Sequence, residues 1–405
     1  MKRNVLLVVS LLFSLFSCTS KQEREEVPVQ SLEHEVLMGD EYLIGRTRDL
    51  NLMNDSIPVV INLKSENVFQ VLNHSRKKVL EIGQVGQGPD DFLMPFGLST
   101  RENNAFSFYD LNRRRYSTIH LNEDDDSWQV EHHFKSDSLP HIHIQPIRDS
   151  LYLGTGMYKN YHLVLLDKHG VFRKGFGEIP YRDEEEREVE DMIRSDAYQG
   201  VLAVSPSGNK VAHVLMKGDM IYFYHIAENG ELELKSEQIN AYPDYRYDSG
   251  ALSRGAPMHH LAACATEEYV YTLYSGRNYK EHKDKAFRGN LIRVYDWDGN
   301  LVKLLELDVD VNEIAITRDN RKIYAIADLP DPEPQNTDFI QCIHNRELFA
   351  LNEMNGHRSA NIVNMGLCAL RLNRTLHFDP VAQQFIDDEA ANRLIDQPKR
   401  GIWKL

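Results

Sequence analysis

From about residue 58 the chain alternates short runs rich in Val, Ile, Tyr and Phe with polar turns. Such runs suit a pleated, half-buried surface. A two-strand unit recurs. Val68–Leu72 and Lys78–Ile82 flank Asn73-His74-Ser75-Arg76. Ala105–Tyr109 and Tyr116–Leu121 flank Asp110-Leu111-Asn112. His162–Leu166 and Val171–Gly175 flank Asp167-Lys168-His169-Gly170. Met220–Ile226 and Glu231–Ser236 flank Ala227-Glu228-Asn229-Gly230. Leu291–Tyr295 and Leu301–Leu307 flank Asp296-Trp297-Asp298-Gly299-Asn300. A sixth half-unit, Lys322–Ala327, stops at Pro330, Pro332 and Pro334. The mean advance fits the roughly 40–50 residues of a propeller blade. A four-stranded blade cannot bury both faces alone, and packing blades around an axis solves this. The pattern predicts an all-β, six-bladed propeller over 33–334. Two unrelated β-sandwiches fit the near-regular count less well. The sixth unit lacks a final strand, and an N-terminal strand is expected to supply it. Leu43-Ile44-Gly45 and Glu35-Val36-Leu37-Met38 are the candidates.

The first residues follow another logic. Lys2 and Arg3 precede an apolar run, Val5 to Phe16, broken only by serines. The run is too short for a membrane span, which needs about 20 apolar residues. It reads as a secretory signal over 1–17. Leu15-Phe16-Ser17-Cys18 resembles the bacterial lipobox, which makes Cys18 the lipidation site, with palmitate among the expected chains. Each buried CH₂ contributes about 0.8 kcal/mol, so several chains anchor firmly. The polar residues that follow read as a flexible tether over 18–32. Their acidic character is similar to the export signals of Bacteroides-type surface lipoproteins. The expected location is the cell envelope, as an outer-membrane lipoprotein on its periplasmic side or at the cell surface.

The 405 residues carry a formal charge of −15, which excludes the basic patches of nucleic-acid binding. Lipid must therefore supply the membrane attachment. Besides Cys18, the cysteines are Cys264, Cys342 and Cys368, without metal-ligand spacing.

Gly83-Gln84-Val85-Gly86-Gln87-Gly88-Pro89-Asp90-Asp91-Phe92-Leu93-Met94-Pro95 resembles the glycine loop of NHL repeats, and Phe106 to Arg113 resembles the strand that follows it. Ser205-Pro206-Ser207-Gly208-Asn209-Lys210 looks like a turn of TolB-type propellers. With Tyr269 to Arg277, Tyr295 to Gly299 and the lipobox, these segments resemble the TolB-like six-bladed propeller lipoproteins of Bacteroides. The resemblance covers about residues 35–334. It implies fold and no settled activity. In the glycine loop, Gly83, Gly86 and Gly88 are expected to allow positive φ, Phe92 to plug the gap between blades, and Pro95 to set the start of the next strand.

Two stretches depart from a plain blade. Asp183–Arg194 is acidic and reads as a solvated helix; Glu184, Glu185 and Glu188 match no calcium loop. Over 335–405 strand patterning fades, and Glu389–Asp396 reads as a short helix. That tail is partly helical or disordered. It is an added segment or sequence foreign to the family, such as a reading-frame change near Pro334 would give.

No catalytic motif stands out. His141 and His143 are expected on one strand face, near His132 and His133, where a third metal ligand is not identifiable. His259-His260 carries less weight. The most ligand-like segment is Asn240–Leu261, a long loop of the kind that carries function. Its Tyr242, Tyr245, Tyr247 and Arg254, with Arg277 beyond it, are the candidate ligand-binding residues, by stacking and bidentate hydrogen bonds. The expected function is a lipid-anchored envelope propeller that binds or scaffolds a protein or glycan partner, with no cofactor and no nucleic acid. The alternative is a propeller hydrolase or lyase with an axial divalent metal held by groups from separate blades. In a third reading, the acidic helix or the tail docks an outer-membrane complex.

Overall fold

The computed structural model describes residues 27–37, 47–63, 66–73, 78–122, 124–136, 138–148, 150–327, 342–346 and 353–395. The signal segment, Cys18, Leu43-Ile44-Gly45 and the proline run lie outside the described residues. The chain divides into two compact units, Met1–Asp328 and Leu329–Leu405.

The first unit is a ring of β-sheets. After strand β1 (Val29–Leu32), the first sheet comprises β2 (Thr47–Met53), β3 (Ile57–Asn62), β4 (Asn67–Asn73) and β5 (Lys78–Gln84). The second holds β6 (Pro95–Ser99), β7 (Ala105–Asp110), β8 (Arg115–Leu121) and β9 (Trp128–Lys135). The third holds β10 (His141–Pro146), β11 (Tyr152–Gly156), β12 (Leu163–Leu166) and β13 (Phe172–Phe176). Two short helices follow, α1 (Glu184–Arg187) and α2 (Asp191–Ala197). The fourth sheet holds β14 (Gly200–Val204), β15 (Lys210–Leu215), β16 (Asp219–Ile226) and β17 (Leu232–Ala241). In the fifth, β18 (Pro257–Ala265) and β19 (Tyr269–Asn278) precede α3 (Tyr279–His282), a 3₁₀ turn (Lys283–Phe287), β20 (Gly289–Asp296) and β21 (Leu301–Val311). The sixth pairs β22 (Glu313–Ile316) with β23 (Ile323–Ile326). Apart from β1, the strands within each sheet follow chain order and run antiparallel.

Apolar clusters between neighbouring sheets close the ring. Phe69 and Ile82 of the first sheet meet Phe106 and Phe108 of the second. Tyr116 and Phe134 meet Ile144 and Leu166. Leu153 and Leu165 meet Leu202 and Val211. Val214 and Phe223 meet Val270 and Trp297. Leu273 and Ile292 meet Ile314. Ala315 and Ile326 return to Leu50 and Leu72 of the first sheet. Among the described residues the sixth sheet is a single strand pair, and it takes part in the last two of these interfaces.

The six recurring units fall one to a sheet. Their uneven advance has a cause: the second unit is the middle pair, β7 and β8, where four others are outer pairs. Of the two candidates for the closing strand, Leu43-Ile44-Gly45 lies outside the described residues. Glu35 to Leu37 form no strand, and β1 adds in parallel to the outer edge of β21, extending the fifth sheet. Phe92 plugs the first interface, fully buried against Phe69 and Phe108. Gly83 makes room for it: its φ is 72°, and a Cβ there would lie 2.6 Å from the Phe92 ring. Gly86 and Gly88 do not share the positive φ. They are small because the Asp91 carboxylate occupies the space a Cβ would need, accepting the Gly88 N–H at 2.6 Å.

The second unit holds α4 (Glu353–Leu372), a hairpin of β24 (Phe378–Asp379) and β25 (Gln384–Phe385), and α5 (Glu389–Ile395). Cys368, Phe385 and Ala391 form its small core. The Asn392 side chain bonds both the N–H and the C=O of Phe385, at 2.7 and 2.8 Å, tying α5 to the hairpin.

Candidate functional site

The innermost strands of all six sheets, β2, β6, β10, β14, β18 and β22, line an axial channel of about 940 Å³. Each begins at the face where the chain crosses between sheets. At that end the wall carries Arg48, Asp49, His143 and Glu313, with Asn312 and Phe287 beside them. At the opposite end stand Arg101, Ser205 and Arg318.

Irregular strands build the polar end. Asp49 is bulged out of the β2–β3 ladder with φ 62°, a left-handed conformation that aspartate tolerates better than most residues. Gly97, with φ 68°, sits in a matching irregularity of β6. The two dock: the Asp49 carboxylate accepts the Leu98 N–H at 2.7 Å. A Cβ on Gly97 would meet Gln145 Nε2 at 3.0 Å, so glycine keeps that wall open. Asn51 donates to Leu98 O at 3.0 Å and accepts from Thr100 at 2.8 Å, fixing the first two sheets together.

Burial works against the charged forms here. Burial pushes the Asp49 carboxyl up to about 6, against the pull of the Leu98 and Gly97 N–H groups and of Arg48. Burial and the charge of Asp49 push Glu313 up to about 8, although the Asp49 N–H donates to it and Arg48 attracts its charged form. Burial, then Arg48, hold His143 down to about 4. Arg48 itself lies 4.8 Å above the Phe96 ring. Asn312 Oδ1 is buried with no hydrogen-bond partner among the described residues. Burial thus disfavours the charged forms of both carboxyls and holds His143 toward its neutral form beside Arg48. This set can donate and accept hydrogen bonds and exchange a proton.

The candidate residues of the tyrosine-rich loop stand at the same end of the ring but do not line the channel. Tyr245 is buried in the cluster between the third and fourth sheets, edge-on to Tyr198, and Tyr242 packs against that cluster. The Tyr247 hydroxyl accepts from Arg182 at 2.7 Å. Arg277 makes a two-pronged bond to Asp310, at 2.7 and 2.8 Å. Arg254 is exposed. The structure therefore uses most of this set internally. The acidic stretch is also less solvated than its composition suggests. Glu186 is fully buried, accepting from Tyr198 at 3.1 Å and from the Arg182 N–H. Arg194 is buried too and donates to Arg187 O at 2.6 Å.

The histidines do not share one face. A bulge separates His141, bound to the Tyr158 hydroxyl at 2.6 Å, from channel-facing His143. His132 and His133 bond Ser117 and Thr118, at 2.9 and 2.6 Å. His260 meets Asp219 at 3.1 Å, and Arg293 completes that trio. His260 and Arg293 hold the Asp219 carboxyl well below the usual range, against the opposing effect of burial. Among the described residues, no group of three or more His, Cys, Asp or Glu side chains is placed to hold a metal ion. Sequence reading missed Arg48, Asp49 and Glu313. Only the oddity of charged residues inside apolar strand runs could have marked them.

Residues 31–319, well over half of the chain, match the family model of the TolB-like 6-blade propeller-like proteins. The chain belongs to this family. Its TolB-like propeller is followed by a different resemblance: residues 315–405 match the model of an oxidoreductase family, C-terminal alpha/beta domain. Among solved structures, the luciferin-regenerating enzyme is 10% identical over 71% of this chain and 86% of its own, with a TM-score of 0.41. A protein from Lactobacillus plantarum is 11% identical over 73% and 80%, also with a TM-score of 0.41. The Cps50 (Swd1) β-propeller domain of Myceliophteria thermophila is 11% identical over 69% and 78%, with a TM-score of 0.39. No curated protein matches the chain.

Proposed function

We propose that this TolB-like propeller is a lipid-anchored binding module of the cell envelope, of the Bacteroides lipoprotein type, and that its ligand enters the axial channel. The observation that carries the reading is the convergence of Arg48, Asp49, His143 and Glu313 on a channel of about 940 Å³. A concave site with a few convergent polar groups and displaced proton affinities is the usual form of a ligand site. The channel admits a glycan end or a peptide end of a partner protein. The lipobox at Cys18 and the preceding apolar run support the anchor, and the NHL-like glycine loop supports kinship with propeller scaffolds. The metal-dependent alternative lacks its ligand set among the described residues.

The test is native mass spectrometry of protein released from its producing cells, comparing the unaltered chain with Val201→Trp. Val201 lines the polar end and belongs to no apolar cluster. A bound species present in the first and lost in the second supports the reading. A species retained by the tryptophan variant contradicts it. For the anchor, an alkyne-tagged fatty acid should label the chain and fail to label Cys18→Ala.

A further inference from the structure

We propose that the polar end of the channel, between β2 and β22, binds a protonated primary amine, such as a peptide N-terminus or an amino sugar carries. This rests on the channel reading above. Two carboxyls stand side by side there, those of Asp49 and Glu313, the second hydrogen-bonded to the backbone of Asp49. An ammonium group offers three N–H donors and no acceptor, which suits a pair of carboxyls. Phe287 adds a half-exposed aromatic ring to the channel lining, a surface that favours cations.

Arg48 is stacked over Phe96 and acts on both carboxyls at once. Arg288, in the same lining, acts with Lys285 and Arg277 on Asp310. A hard divalent ion would want more oxygen ligands than these two carboxylates give, and no three-group set exists among the described residues.

Binding an ammonium beside a neutral Glu313 carboxyl favours its ionised form. The charge balance is simple: the amine arrives with its positive charge, the Glu313 O–H bond breaks, and one proton leaves to solvent. The groups facing Glu313 are Asp49 and Arg48 from β2 and Cys264 from β18, whose thiol burial pushes up to about 12. Across the channel, His143 from β10 faces Arg48.

The experiment is titration calorimetry on the full chain at pH 7, in two buffers of different ionisation enthalpy. The probes are glycinamide, glucosamine and their N-acetyl counterparts. The expected result is binding of the amines alone, with proton release. Glu313→Gln should abolish that release and weaken binding about tenfold, the size expected for losing one charge-assisted hydrogen bond. The tighter of the two amines identifies the source of the ammonium. Binding without proton release overturns the proposal, as does equal binding of an acetylated probe. An acetylated probe that is lost in Val201→Trp overturns the amine while leaving the channel as the site. Amine binding that survives Val201→Trp overturns the placement in the channel. No binding by any probe, while a native species still co-purifies, overturns the amine alone.

Discussion

The channel wall and the tyrosine-rich face stand at the same end of the propeller, yet they treat their charged groups differently. On the tyrosine face, charges meet partners. Arg277 holds Asp310, Arg194 holds Asp191 at 2.8 Å, and Lys217 holds Asp196 at 2.7 Å. In the channel, two carboxyls and a histidine are pushed toward their neutral forms, and one amide oxygen has no partner among the described residues. The ion pairs of the tyrosine face leave their charges little to offer a ligand, although Arg194 Nε and Gln199 Oε1 there are also buried with no hydrogen-bond partner among the described residues. A buried group with unmet hydrogen-bonding capacity gains most from a ligand. Richness in Tyr and Arg is thus a poor guide by itself, because those side chains also build interfaces between sheets.

The sharpest test of this contrast is Tyr245→Ala. Tyr245 is buried against Tyr198, so truncation should cost roughly 3–5 kcal/mol of unfolding free energy, read by denaturant titration. Ligand capture by the folded fraction should not change. A capture-deficient variant of normal stability would reverse the roles assigned to the two regions.

Next in size are two opposed pH effects, each bounded at about 1.4 kcal/mol per pH unit per group. Glu313 has a folded value of about 8, above that of the unfolded chain. Its contribution to stability is full in acid and is lost as pH rises from the ordinary carboxylate range to about 8. Glu313→Gln should flatten that alkaline limb. His162 is buried, and burial holds its folded value down to about 4, although a bond to the Tyr198 backbone opposes this. Its ring lies 4.5 Å from that of buried His213, centroid to centroid. Its contribution is full above about 6.5 and is lost as pH falls toward 4. His162→Phe should therefore flatten the acid limb, as followed by melting temperature across that range. Identical pH profiles for the variants and the parent would remove the electrostatic basis of the contrast.

Arg277→Met should cost about 1 kcal/mol or less, because its pair with Asp310 is only half-buried. The smallest effect belongs to exposed Arg254: alanine there should change stability by less than about 0.5 kcal/mol and leave capture intact. Loss of capture on that substitution would return the site to the tyrosine-rich loop.

The ring was legible in the sequence because each sheet contains at least one strand pair whose apolar runs and polar turn are local features. Phe92 and Pro95 were legible for the same reason. What failed was non-local. The β1 strand joins β21 across most of the chain, and nothing in Val29–Leu32 distinguishes an edge strand of the fifth sheet from tether. The polar channel end draws one or two residues from each of several inner strands, and bulges at Asp49, Gly97 and His143 break the period-2 pattern there. The tail's shift in composition was visible, but its match to another family was not.

The most direct test of the account is the titration of Glu313, followed by carboxyl ¹³C chemical shift in glutamate-labelled protein and assigned with Glu313→Gln. One resonance titrating near pH 8, absent from the glutamine variant, is the predicted result. A Glu313 resonance that titrates in the ordinary carboxylate range would mean its charge is already compensated, and the channel would lose its claim to be the binding site.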